Sequence, residues 1–369
     1  MRLRYLSRDG LRFNTNYRGL GQSLGRSIAF LLLLSGIVSV CCAALAQARE
    51  RLYTITHPAM GTVYTLYIYA GSQQEADADA GAVFDEVDRI EDLLSNYKET
   101  SELSRINRLA FSETVTTDPE TFSFLRQSLD WSARSDGAFD ITVGALMKEW
   151  GFFRKSGRIP TDAEFAELRS ETGWQKVKLD AANRTVRFTS AGVELDPGGI
   201  GKGFAVDAAI AILRAQHVSA AMLSAGGSTI YALGAPPGEP GWKVVVPDPV
   251  HAGETLSTVF LKDTSLSSAS CAEKNFILNG HLYCHIMDPP TLRPVEGMLQ
   301  VSIIDPSATA SDALSNVLFV KKPEDSARWM KTLPADSALV ISGTKSSFVC
   351  HPLGWKTKLE GSCQEQQEK

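Results

Sequence analysis

Residues 194–209, ELDPGGIGKGFAVDAA, constrain this chain more than any other stretch. A short apolar run with Val193 and Leu195 leads in, and an acid and a proline follow. Gly198, Gly199, Gly201 and Gly203 then surround Lys202. Beyond them Ala205, Ala208, Ala209, Ile212 and Leu213 recur at helical spacing. The pattern predicts a strand, a glycine-rich turn and a helix. Glycines at such a junction let backbone N–H groups approach an anion. The helix N-terminus adds a favourable dipole, and Lys202 adds a full charge. A phosphate-bearing ligand suits it. Neither familiar phosphate loop is present: Gly203 replaces the Ser or Thr that follows the Walker lysine, and Phe204 stands where G-x-G-x-x-G needs its last glycine. Taken alone, the stretch also reads as a purely structural glycine turn.

The surrounding pattern mixes strands and helices without a regular βαβ rhythm, which predicts an α+β fold. Residues 61–70 alternate as a strand. Residues 75–94 place Val83, Phe84, Val87, Ile90, Leu93 and Leu94 at helical spacing. Asp118-Pro119 starts a helix with a stripe of Phe122, Leu125 and Leu129, and Thr161 with Glu164 forms a capping box. Strands follow through 176–196, with a turn at Ala182-Asn183, and through most of 220–305, with a glycine pair inside the strand AAMLSAGGSTIYAL. A helix is expected from about 310 to 319, with Asp312 in its first turn.

The N-terminus differs in kind. Residues 1–27 carry six arginines against Asp9, and the apolar run SIAFLLLLSGIVSVCCAALAQA follows, with A-x-A patterns at 44–46 and 46–48. This reads as a secretory signal over 1–48, with an uncleaved anchor as the alternative. A lipoprotein reading at Cys41 is weaker, because Val40 is bulky where a small residue is wanted. The body, 49–355, would then lie in the periplasm or another extracytoplasmic space, tethered to the inner membrane if the signal stays. Residues 356–369 read as a polar tail. With a net charge of −5 and no basic stripe, nothing points to nucleic acid. Cys271, Cys284, Cys350 and Cys363 suit an oxidising compartment. Spacing favours Cys271–Cys284 and Cys350–Cys363, but three pairings are open.

Further patches share the character of the opening stretch: Met60-Gly61-Thr62 entering a strand; Ser95, Tyr97, Ser101 and Asn107 after a helix; GAFDIT at 137–142; the Gly226-Gly227 pair; HIMDP at 285–289; and ATASDALSN around Asp312. In this order the chain resembles the ApbE family of FAD:protein FMN transferases from about Thr56 to Val320. The resemblance implies an enzyme that binds FAD as substrate and uses Mg²⁺. It moves FMN onto a threonine hydroxyl of an extracytoplasmic electron-transfer flavoprotein and releases AMP.

It also implies roles. Met60, Tyr97, Ala138, Phe139 and Asp140 fall in the flavin and adenosine pocket, and Ile286 also binds FAD. Asp196, Gly198, Gly199 and Lys202 face the ribityl-diphosphate. His285 is the candidate base, with Lys202 and Asp312 completing the catalytic set. The metal would be held by Asp312, the Gly201 carbonyl and Asn316, which stands where the family usually has Thr. Other departures are Leu292, where D-P-x-T-G ends in glycine, and SSASCAEKNF, which keeps Ser270 but little else of a Ser-Gly-Asp-Tyr-like segment. They leave two rival expectations: an FAD pyrophosphatase that uses water as acceptor, or an FAD-binding protein with weak catalysis.

Overall fold

In a computed structural model, residues 50–153, 157–272, 274–333 and 336–367 are described. The basic front and the apolar run lie outside these residues. Strands β1 (Arg51–Ala59), β2 (Thr62–Ala70), β3 (Ala221–Ala225), β4 (Thr229–Leu233), β5 (Thr264–Ser270), β6 (Met298–Asp305), β7 (Ser337–Thr344) and β8 (Ser347–Leu353) lie side by side in chain order. Each is antiparallel to the next.

Everything else is inserted between neighbouring strands or follows β8. Residues 71–220 leave β2 and return as β3. They carry α1 (Gln73–Leu94), α2 (Glu102–Leu109), α3 (Pro119–Arg134), α4 (Gly144–Glu149), α5 (Asp162–Glu171), a small three-stranded sheet and α6 (Gly201–Ala215). A long helix, α7 (Ala308–Met330), joins β6 to β7, and α8 (Gly361–Gln367) follows β8.

Alternation on the strands explains the layers. β2 turns Tyr64, Leu66, Ile68 and Ala70 to one face, where they pack with α1 and α6. Val301 and Ile303 of β6 meet Leu314, Val317 and Leu318 of α7. On the other face Tyr67 and Tyr69 meet a hairpin of Trp242–Pro247 and Thr255–Leu261, whose Trp242, Val244 and Val246 point inward. Local signals set the element ends as expected: Asp118 caps α3, Thr161 and Glu164 form the capping box of α5, and Asp180 holds the turn before Asn183. No helix among the described residues is long and apolar enough to cross a membrane.

Four expectations need correction. First, α6 buries Phe204, Val206, Ile210 and Leu213, while Ala208 and Ile212 are only half-buried. It packs against α1, α7 and the sheet, so its apolar face is wider than one stripe. Second, the glycine pair forms the β3–β4 turn rather than a strand interior. Gly226 has φ +62°, and a Cβ there would lie 2.1 Å from Thr62 Oγ1. Third, α7 starts at Ala308, which places Asp312 in its second turn; the helix breaks at Lys322, before Pro323. Fourth, the polar stretch from 356 is anchored within its described residues. Leu359 and Cys363 are buried, and Cys363 is bridged to Cys350, as Cys271 is to Cys284.

Helix α7 is held at its N-terminus by an acid from α6. Asp207 accepts hydrogen bonds from Ser307 Oγ (2.7 Å), Ala308 N (2.8 Å), Thr309 N (2.9 Å) and Thr309 Oγ1 (2.7 Å). These bonds satisfy amides that no helical carbonyl can reach. Asp207→Ala is expected to cost about 1–3 kcal/mol of stability. The check is a shift of the urea midpoint at constant slope.

Candidate functional site

The site begins where α6 and α7 cross. A Cβ on Gly203 would stand 2.2 Å from Ala308 O and 2.8 Å from Asp312 Cβ, so only glycine admits this approach. The Gly203 amide donates to Asp312 Oδ2 at 2.9 Å. Asp312 is 5 % exposed. Burial pushes its carboxyl above the usual carboxylate range, opposed by the nearby Lys202 charge and the Gly203 amide. One turn along, Asn316 Nδ2 donates to Gly199 O (3.2 Å) and Asp312 O (3.1 Å). Its Oδ1 has no partner among the described residues. The carbonyl that accepts from Asn316 is Gly199's, and a Cβ added to Gly201 would lie 3.1 Å from Pro197 Cβ and 3.6 Å from the Met60 methyl.

The glycine turn keeps some amides and spends others. Gly198 N donates to Asp196 Oδ1 (2.7 Å), and Ile200 N and Gly201 N both turn back to Pro197 O. The amides of Gly199 and Lys202 have no acceptor among the described residues. The Lys202 ammonium reaches Ser228 Oγ in the β3–β4 turn. Burial also raises the Asp196 carboxyl, against the Gly198 amide that favours its charged form. Two free amides and a lysine beside inward-turned carboxylates make a place for an anion with a counter-cation.

Loops from the excursion close around this turn. Met60 sits at φ +49°, held by its amide donating to Glu91 Oε1 (2.9 Å) and by the Tyr64 hydroxyl on its sulfur (3.0 Å). Asn107 exchanges two hydrogen bonds with the Leu195 backbone and so fixes the approach to Asp196. Phe139 is buried, and its Cε2 would lie 3.2 Å from a Cβ on Gly199. Tyr97 is 68 % exposed, stands against Phe153 with ring centres 4.9 Å apart, and senses the Asp196 charge. Ala138 and Ile286 are buried.

Asp140 is differently engaged. Its carboxylate accepts from Thr142 N (2.9 Å), Thr142 Oγ1 (2.7 Å) and Trp174 N (2.8 Å), tying two loops together. It borders a separate cavity of about 240 Å³, shared with Trp174, Pro289 and Leu292. Leu292 itself explains one departure. It adopts φ +61°, the backbone shape that glycine takes easily. Burial of its side chain and bonds to Asp288 O (2.8 Å) and Trp150 Nε1 (3.0 Å) hold the turn without glycine.

His285 follows the hairpin strand His281–Cys284. Its amide and its Nδ1 both meet Lys274 O, at 3.1 and 2.9 Å. A carbonyl only accepts, so Nδ1 carries the proton and Nε2 keeps a lone pair. Desolvation, with the Lys274 and Lys202 charges, pushes the ring down to about 4. The ring is neutral at pH 7.

The structure thus gathers Met60, Tyr97, Phe139, Asp196, Gly198, Gly199, Gly201, Lys202, Asp312 and Asn316 around one turn, with His285 near Lys202. Sequence reading missed four supports: Asp207, Glu91, Tyr64 and Ser228. Asp207 closes the very motif that opens at Asp196, and this was its signal. Glu91 sits on a helix face that reads as solvated, so nothing local marks it.

A glycine turn with a cation and free amides, facing a buried carboxylate, defines a protein that handles a phosphate ester. The sequence pattern of the ApbE family matches residues 60–341, and the chain belongs to that family. The FAD:protein FMN transferase of Chlamydia muridarum is 32% identical over 68% of this chain and 78% of its own length. That of Treponema pallidum is 30% identical over 84% and 88%. Among solved structures, the ApbE protein of Thermotoga maritima covers 80% of this chain and 96% of its own, at 31% identity and a TM-score of 0.73. The flavinyl transferase ApbE of Pseudomonas stutzeri covers 82% and 95%, at 25% identity and a TM-score of 0.74.

The His285 environment has a measurable signature. Its folded pKa is depressed, so the unfolded chain binds the extra proton between about pH 6.5 and 4. The His285 contribution to stability therefore falls as pH drops through that window. NMR titration of the ring should give a midpoint well below the ordinary histidine value; a midpoint near 6.5 would contradict the desolvation of the ring.

Proposed function

We propose that this chain is a magnesium-dependent FAD:protein FMN transferase that modifies a flavoprotein outside the cytoplasm. The observation that carries the reading is the convergence of Lys202, two free amides, Asp312 and a neutral His285 on one glycine turn. The family membership and the similarity to named transferases support it.

The donor set fits magnesium. Asp312 offers a buried carboxylate, Asn316 an amide oxygen without a partner among the described residues, and the Gly199–Gly201 turn a carbonyl: all hard oxygens. The alternative group of Asp248, His251 and Glu254 belongs to the hairpin on the opposite face of the sheet. Its Asp248 already accepts from Val250 N, His251 N and Ser362 Oγ. A magnesium ion at Asp312 and Asn316 would supply charge neutralisation on the diphosphate.

The chain's own residues do the rest. The Lys202 ammonium and the amides of Gly199 and Lys202 bind diphosphate oxygens and stabilise the charge that builds up as the bridge breaks. Met60, Phe139 and Tyr97 offer apolar and aromatic surface to the ring systems. The acceptor hydroxyl attacks the phosphorus on the FMN side, the new P–O bond forms, and AMP leaves with the old bridging oxygen. His285 Nε2 takes the hydroxyl proton. Asn316 keeps an oxygen ligand where the family usually has Thr.

The test is FAD with Mg²⁺, with and without a flavoprotein acceptor. AMP together with covalent FMN on the acceptor is expected. AMP and free FMN without acceptor would instead mark a pyrophosphatase, and bound FAD with no AMP a binding protein. Asp312→Ala should abolish metal-dependent turnover while the fold survives, and Asn316→Thr should preserve or raise it. His285→Ala should lower transfer about 10²–10⁴-fold.

A further inference from the structure

His285 is reached through a small hairpin that leaves β5 and returns to the site, Asn275–Leu278 paired with His281–Cys284. Cys284 is the last residue of that hairpin and the covalent neighbour of His285. Its sulfur is bonded to Cys271, the residue after β5. The Cα atoms are 5.0 Å apart across a separation of 13 residues. The two cysteines are 8 % and 1 % exposed. Inside the bridged ring lies Lys274, whose carbonyl receives both the amide and the Nδ1 proton of His285. A second tie closes the same ring, Asn275 Nδ2 donating to Cys271 O at 2.7 Å. The segment SSASCAEKNF, one of the places where this chain departs from its family's pattern, carries Cys271.

We propose that the Cys271–Cys284 disulfide is the positioning device for His285. It anchors the ring segment to the end of β5, which sets the Lys274 carbonyl against Nδ1. The carbonyl then fixes the tautomer and aims Nε2. Without the bridge the hairpin has freedom to rock about Ser270. The imidazole then gains solvent, loses its single orientation and gives up part of its depressed basicity. Neither sulfur touches substrate. The inference rests on the transferase reading, since it assigns what holds the proton acceptor of that reaction.

The test compares the full chain with its Cys271→Ser/Cys284→Ser variant in FMN transfer. A fall in kcat of about 10- to 100-fold with an unchanged KM for FAD is expected. The acid limb of the kcat/KM profile should also move up towards the ordinary histidine value. Asn275→Ala, which loosens the same ring and spares the sulfurs, should shift both quantities in the same direction by less. It also carries the test if the double variant does not fold. Cys350→Ser/Cys363→Ser, across the sheet, should lower the melting temperature and leave kcat alone. Wild-type kcat and pH profile in the Cys271/Cys284 variant would overturn the inference, as would equal losses in FAD binding and kcat. If the wild type transfers no FMN, the transferase reading fails by itself. NMR titration of His285 with and without the bridge then decides the positioning role, and identical midpoints would end it.

Discussion

The close approach of α6 to α7 at Gly203, where the Gly203 amide meets the Asp312 carboxylate, is the constraint on which the site depends. It exists only because Gly203 lacks a Cβ, which lets α6 and α7 approach to backbone contact. From that crossing the glycine turn points outward and Asn316 reaches Gly199. Asp207, one helical turn on from Gly203, caps the start of α7. A single close approach therefore fixes the register of both helices and the place of every oxygen at the centre of the site. It also buries a carboxylate, a cost that a nearby lysine only partly offsets.

Burial works on groups of both signs here. Asp312 and Asp196 are pushed towards neutrality from the acidic side, and His285 from the basic side. Such opposed shifts arise where fixed charges stand close together in a poorly solvated place. They leave the His285 ring unprotonated near neutral pH, beside the Lys202 charge. The outer parts are held by ordinary devices: Glu91 on the Met60 turn, Asn107 on the strand before Asp196, and Ser228 on Lys202.

Much of this was readable from local chemistry. Period-2 alternation marked β2, helical spacing marked α1 and α3, and caps marked where helices begin, because these signals act within a few residues. The glycine turn was readable as a turn because four glycines cluster around a lysine, and its tie to a ligand came only with the other patches in order. What escaped reading was what depends on distant partners. The wide apolar face of α6 follows from packing on three sides. The β3–β4 turn at Gly226 is set by its neighbour Thr62. Leu292 keeps a left-handed turn that its identity argues against, because its burial and Trp150 hold it. The C-terminal residues look like a solvated tail, yet Leu359 and Cys363 are sealed beneath the hairpin.

The order of the main sheet has a kinetic consequence. Every strand neighbours the next in sequence, yet β2 meets β3 only across residues 71–220, pairing Tyr64 with Ala225. The equilibrium cost of closing so long a loop grows slowly, by about 0.6 kcal/mol per doubling of length. The search is the greater burden, since distant pairings form late. The β1–β2 ribbon must wait, one edge unpaired, until residues 221–225 have been synthesised. Meanwhile Tyr64, Leu66 and Ile68 have neither α6 nor β3 to cover them. During biogenesis this ribbon is the segment most open to wrong pairing, and the chain's vulnerability lies at the end opposite to the strands that close the sheet.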